Sequence, residues 1–174
     1  MARFSLHVVG KDRLGLIATV TAALERSGCN LKDSRMTILH GQSSMMLAFD
    51  APDITNGALI EEKLAPVADE LNLFFVVRPL PTGPVEPRTG VPTMITFKGV
   101  DRPGIVARLT AEISRQGVNI VDLTGEHRDE SGTTICTLEL LVDRPDTVAP
   151  ESLEAGLRAV ANSLDAELTM RPLL

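Results

Sequence analysis

Near the start of the chain Phe4, Leu6 and Val8 are separated by Ser5 and His7, an apolar–polar alternation of period two that predicts a β-strand with one buried face. A short loop with Asp, Arg and Gly follows. Ile17, Val20 and Leu24 then recur at helical spacing, and Gly28 stands where such a helix would stop. Strands are expected over about 29–39 and 43–50, the second with Met45, Leu47 and Phe49 on one face. Ile60, Leu64, Val67 and Leu71 mark a second helix, and a last strand over about 73–78 closes the unit.

The whole pattern then occurs again. Thr93, Ile95 and Phe97 take the place of the first strand, and Val106, Leu109 and Ile113 that of the first helix, which stops at Gly117. Strands are expected over about 118–128, 134–142 and 166–171, with Leu138, Leu140 and Val142 on one face. Leu153, Leu157, Val160 and Leu164 repeat the second helical stripe. Setting Gly10–Ser34 against Gly99–Leu123 makes the duplication explicit, because eleven of the 25 positions are identical. They are Gly10/Gly99, Asp12/Asp101, Arg13/Arg102, Gly15/Gly104, Ala18/Ala107, Thr21/Thr110, Ala22/Ala111, Arg26/Arg115, Gly28/Gly117, Asn30/Asn119 and Asp33/Asp122. Further on, Val77-Arg78-Pro79-Leu80 matches Met170-Arg171-Pro172-Leu173, at an offset of 93 where the earlier segment has 89. The second copy therefore holds four extra residues, near Asp129-Glu130-Ser131-Gly132, where a hairpin turn is expected to absorb them.

Each copy reads β-α-β-β-α-β. That order predicts an α+β chain of two ferredoxin-like units, each an antiparallel sheet with both helices on one face. The expected domains are 1–80 and 92–174, joined by a linker over 81–91; PTGPVEPRTGVP, residues 81–92, carries four prolines and two glycines. Units of this size bury a limited core alone, so they are expected to pack on each other, and the chain to form a homodimer.

Composition narrows the function. The formal net charge is −6, and the second copy (92–174) holds 8 basic and 13 acidic residues. Without a basic cluster, and with aromatic residues at 3%, direct nucleic-acid binding is not expected. The N-terminus lacks the features of a signal peptide, and no apolar run is long enough for a bilayer, so a cytoplasmic protein without membrane association is expected. Cys29 and Cys136 form no CxxC or local Cys/His pattern; no metal or other cofactor is expected, and both are expected to be buried strand thiols. His7 is expected on an open or interface face, and His40 and His127 lie near the central hairpins without a neighbouring acid or nucleophile pattern. Met36, Met45 and Met46 are read as core or interface filler. No catalytic residue is expected, and the chain is not expected to be an enzyme.

The best site candidate is the first strand–helix junction, Gly10-Lys11-Asp12-Arg13-Leu14-Gly15-Leu16 and Gly99-Val100-Asp101-Arg102-Pro103-Gly104-Ile105. A helix starting there offers unpaired N–H groups and the positive end of its dipole to a carboxylate. Gly15 and Gly104 would not obstruct a ligand, and Asp12 and Asp101 could accept from an ammonium; a free amino acid has both groups. Asn30 and Asn119 are expected near the same end of the helix. A structural role is equally open on this chemistry: Asp is a favoured N-cap, Pro103 suits a first helical turn, and the glycines could serve helix–strand packing.

VGKDRLGLIATVTAALERSGCNLKD and FKGVDRPGIVARLTAEISRQGVNIVD resemble the opening of ACT domains, small ligand-binding regulatory modules. The resemblance covers nearly the whole chain, twice, and a chain of two such units most resembles the glycine cleavage system transcriptional repressor group. It implies ferredoxin-like units that bind amino acids at unit interfaces. It also implies ligand contacts at Asp12, Arg13, Leu14, Gly15, Leu16 and Asn30, and at Asp101, Arg102, Pro103, Gly104, Ile105 and Asn119. Copy one departs from the family in having Leu14 where Pro is common, so copy two has the better-preserved loop. The implied function is regulation of amino-acid metabolism, with glycine as a candidate ligand, through a DNA-binding transcription factor as protein partner. A detached regulatory subunit of a metabolic enzyme and a purely structural oligomerisation module are the alternatives.

Overall fold

A computed structural model of the chain describes residues 2–52, 56–81, 83 and 89–173. It divides into two compact units, Met1–Val85 and Glu86–Leu174. Most of the expected proline-rich linker, residues 82 and 84–88, lies outside the described residues.

Unit 1 runs β1 (Ala2–Lys11), α1 (Leu16–Arg26), β2 (Asn30–Leu39), β3 (Gln42–Ala51), α2 (Gly57–Leu71) and β4 (Phe74–Leu80). Unit 2 repeats it as β5 (Val91–Val100), α3 (Ile105–Arg115), β6 (Asn119–Glu130), β7 (Thr133–Arg144), α4 (Pro150–Ser163) and β8 (Glu167–Pro172). The sheets have the orders β2-β3-β1-β4 and β6-β7-β5-β8, with all pairings antiparallel. This is the ferredoxin-like arrangement expected from the duplicated pattern.

The alternation determines which sheet face is covered. Phe4, Leu6 and Val8 on β1 join Met45, Leu47 and Phe49 on β3, and Leu16, Val20 and Leu24 on α1 close over them with Ile60 and Leu64 on α2. In unit 2, Ile95 and Phe97 meet Leu138, Leu140 and Val142 under Leu109, Ile113, Leu153 and Leu157. Both glycine stops end their helices in the expected way: the Gly28 and Cys29 N–H groups donate back to Glu25 and Leu24, and those of Gly117 and Val118 to Ser114 and Ile113.

Three local expectations are corrected. The first helical stripe of each unit starts one residue earlier than expected: Leu16 and Ile105 are buried, and Ile17 and Val106 are exposed. The four extra residues of copy two do not enlarge a turn. Both hairpins keep two-residue turns, between Leu39 and Gln42 and between Glu130 and Thr133, and the strands lengthen instead, from 10 residues in β2 and β3 to 12 in β6 and β7. A two-residue turn with positive φ at both positions matches strand twist, so adding rungs preserves it where a longer loop would not. Of the cysteines, both are free and buried, but only Cys136 is on a strand; Cys29 lies between α1 and β2. Among the described residues no helix is long and apolar enough to cross a membrane.

Candidate functional site

In both units the Asp-Arg-x-Gly loop builds the same turn. The Leu16 N–H donates to the Arg13 carbonyl, and Gly15 sits at φ 81, ψ 3. Gly104 repeats this at φ 90, ψ 3. These are the dihedrals of the third residue of a type II turn, where a side chain would be strained. The space around both glycines is open, since an added Cβ would meet nothing within 4 Å. They therefore serve the backbone conformation and not helix–strand packing. Gly15 and Gly104 are themselves the N-caps, and no side chain caps either helix. Asp12 and Asp101 are thus not caps; their own N–H groups donate to the carbonyls of Gly41 and Thr134 at the hairpin ends.

Leu14 and Pro103 occupy the second position of this turn, for which proline is well suited but not required. Leu14 is fully exposed. Copy one consequently forms the loop without proline, and the substitution Leu14→Pro is expected to stabilise unit 1 by ~0.4–1 kcal/mol by restricting the unfolded chain. A rise in the denaturation midpoint checks this; a fall would mean that Leu14 does not have the proline-compatible φ of the turn.

The loop arginines are engaged. Arg13 Nη2 donates to the Leu71 carbonyl at 2.7 Å, at the end of α2. Arg102 Nη2 lies 3.6 Å from Asp165 Oδ2, just past the end of α4. Each arginine ties its loop to the C-terminal end of the second helix, where a cation is favoured.

Asn30 and Asn119 are not beside these loops within their own units. They follow the C-terminal ends of α1 and α3, and a helix of 11 residues separates the two places by about 16 Å. What surrounds them is a groove along the edge of the unit. In unit 1 Ala18, Thr21 and Ala22 on α1 face Cys29, Asn30 and Leu31; in unit 2 Ala107, Thr110 and Ala111 on α3 face Val118, Asn119 and Ile120. The residues shared by the two copies at 18/107, 21/110, 22/111 and 30/119 thus converge on one surface, which chain order alone does not reveal.

A second group was hidden in the sequence. On β6, His127 pairs directly with Cys136 on β7, and Cys136 pairs with Gly99 on β5, two residues before Asp101. One ligand atom from each of Asp101, His127 and Cys136 lies within 4.8 Å of the others. Burial pushes the Cys136 thiol up from its ordinary value, and the Asp101 carboxylate pushes it further.

Comparison with known proteins agrees with this architecture. The ACT domain family matches residues 3–78 and again 92–171. The glycine cleavage system transcriptional repressor of Escherichia coli (strain K12) is 25% identical over 166 residues, covering 93% of this chain and 85% of that protein. The crystal structure of an unknown protein from Galdieria sulphuraria superposes with a TM-score of 0.84 at 24% identity, covering 99% of both chains. A crystal structure provisionally named for the same repressor gives a TM-score of 0.74 at 17% identity, over 99% of this chain and 97% of that one. At those identities the two structures speak to the fold.

Proposed function

The chain belongs to the ACT domain family, twice over, and from that premise we propose that it is an amino-acid-binding regulatory protein rather than an enzyme. The observation that carries the reading is the loop built identically in both units. Each opens a helix with a glycine cap, no capping side chain and free space at the turn. The N–H groups of the first turn that follow the one already bonded within the loop are a place for a carboxylate, and Asp12 or Asp101, in the same loop, is an acceptor for the ammonium group.

Within one unit, a single amino acid spans only one of the two places that the family resemblance implies, because the asparagines are a helix length away. The loop residues 12–16 and 101–105 are the proposed primary contacts. Within these loops Arg13 also donates to the Leu71 carbonyl, and Arg102 forms an exposed ion pair with Asp165.

The Escherichia coli relative, matched over nearly the whole chain, is named for transcriptional repression of the glycine cleavage system. That name supports a role in transcriptional regulation of amino-acid metabolism, with glycine the first ligand to try. A sequence pI near 5.1 without a basic cluster favours action through a DNA-binding protein partner over direct DNA contact.

Thermal and chemical denaturation of the full chain with each common amino acid tests the reading. A ligand present at 100 times its dissociation constant is expected to add about 2.7 kcal/mol. Asp12→Ala and Asp101→Ala, both on loops, are expected to remove the shift for the copy that binds. Gly104→Val is a poorer locator, since φ +90 strains valine with or without ligand. If no amino acid shifts the transition, the sensing role is wrong. Affinity capture with and without the active amino acid then separates the partners. Recovery of a transcription factor supports repression, whereas recovery of a metabolic enzyme whose rate changes on adding the chain selects the regulatory-subunit alternative.

A further inference from the structure

We propose that unit 2 binds a divalent transition ion of the zinc class through Asp101, His127 and Cys136. The argument starts from the pairing of strands. Residues opposite each other on neighbouring antiparallel strands project to the same face, so the register His127↔Cys136 turns an imidazole and a thiol the same way. On the other side of Cys136 the opposite residue is Gly99, two residues before Asp101, so the β5 register brings the carboxylate of Asp101 to the same end of the sheet as the thiol. Asp101 is itself fixed by its N–H donating to the Thr134 carbonyl at 2.8 Å. Three donors of three kinds are thus carried by backbone that is hydrogen-bonded in place.

The spacing suits ligands of one ion. Tetrahedral zinc, with bonds of about 2.0–2.3 Å, holds its ligand atoms about 3.3–3.8 Å apart. His127 Nε2 and Asp101 Oδ1 are 3.5 Å apart, longer than the ~2.7–2.9 Å of a charge-assisted hydrogen bond. All three ligand atoms fall within 4.8 Å of one another, so small side-chain rotations close the set. A thiolate, an imidazole and a carboxylate together select zinc-like ions and are unsuited to calcium or magnesium, which take oxygen. Three protein ligands leave one tetrahedral position open, facing solvent beside the exposed Asp101 and His127. On binding, the metal–sulfur bond forms as the thiol proton is released to solvent, and the imidazole binds neutral.

The duplication supplies an internal contrast. In unit 1 the corresponding residues are Asp12, Ile38 and Ser43, with Ile38 opposite Ser43 and Ser43 opposite Gly10. The acid is kept and both the nitrogen and the sulfur ligand are missing. Ser43 Oγ is buried with no hydrogen-bond partner among the described residues, so a polar atom stands where the thiol of unit 2 stands. One site per chain follows. The site shares Asp101 with the proposed amino-acid contacts of unit 2, whereas His127 and Cys136 belong to the metal site alone, so variants at those two residues test it apart from amino-acid binding.

Cobalt(II) titration of the reduced, metal-free full chain tests the proposal, because cobalt reports its ligands. The expected result is a thiolate-to-cobalt charge-transfer band with four-coordinate visible bands, saturating at one ion per chain and bleached by zinc. Cys136→Ser is expected to abolish the charge-transfer band, and Cys29→Ser to leave it intact. His127→Ala, at an exposed side chain where folding is not at stake, is expected to weaken binding by more than the ~10–100-fold typical of losing a residue behind a metal ligand. Absence of the band in the unaltered chain, a band that survives Cys136→Ser, or a His127→Ala chain that binds as tightly as the original would each overturn the site.

Discussion

Truncating Phe97 to alanine is expected to cost unit 2 about 3–5 kcal/mol. The side chain is fully buried on β5, the strand that pairs with both β7 and β8. It belongs to the core of Leu109, Ile113, Leu138 and Leu157. Removing a phenyl ring there forfeits its transfer free energy and leaves a cavity that neither sheet nor helix can close without breaking ladder hydrogen bonds. A domain of this size is stabilised by only ~5–15 kcal/mol, so the loss is a large fraction of what holds it together. Guanidinium denaturation measures the change, and faster amide exchange across β5–β8 localises it. A loss under ~1 kcal/mol would contradict the burial of this residue.

The second large effect is expected at Gly99. A Cβ there would lie 2.6 Å from the Ala166 Cβ and 3.3 Å from its Cα. Ala166 is short and its Cα is backbone, so neither can move aside without displacing the entry to β8. Gly99→Val should therefore destabilise unit 2 at the upper end of the overpacking range, ~3 kcal/mol. Its counterpart Gly10 offers a control. A Cβ at Gly10 meets first the Leu73 Cδ2, at 2.4 Å, which is the end of a flexible side chain. Gly10→Val should cost less than Gly99→Val, and the reverse order of denaturation midpoints would show that backbone approach is not what keeps glycine at these positions.

The fold was legible in the sequence because each element was written twice. Periodicity alone leaves short apolar runs ambiguous between helix and strand, but Ile60-Leu64-Val67-Leu71 and Leu153-Leu157-Val160-Leu164 share one spacing and one place in the order. The hairpin extension was legible as a position and not as a structure. An offset counts residues without saying whether they loop out or pair, and Asp129, Glu130, Thr133 and Thr134 are too polar to show an alternation. The candidate loop was legible as a strand–helix junction bearing a glycine; that a positive φ requires the glycine was not, because the sequence left ligand access and helix–strand packing open. The roles of its neighbours were not, because they depend on distant partners: Arg13 on a carbonyl at the end of α2, Asn30 on the length of the helix before it. His127 and Cys136 belong to the same class, joined only by strand register.

The longer hairpin also bears on how copies of the chain avoid one another. β2 and β6 are edge strands, and an edge presents unpaired backbone groups to any other edge. β6 is the longer of the two and exposed along most of its length, yet it carries Asp122, Glu126, Asp129 and Glu130 against a single arginine, Arg128. Two such edges repel through their like charges. The acidic excess of the second half thereby acts as protection against edge-to-edge aggregation, and it weakens as added salt screens those charges.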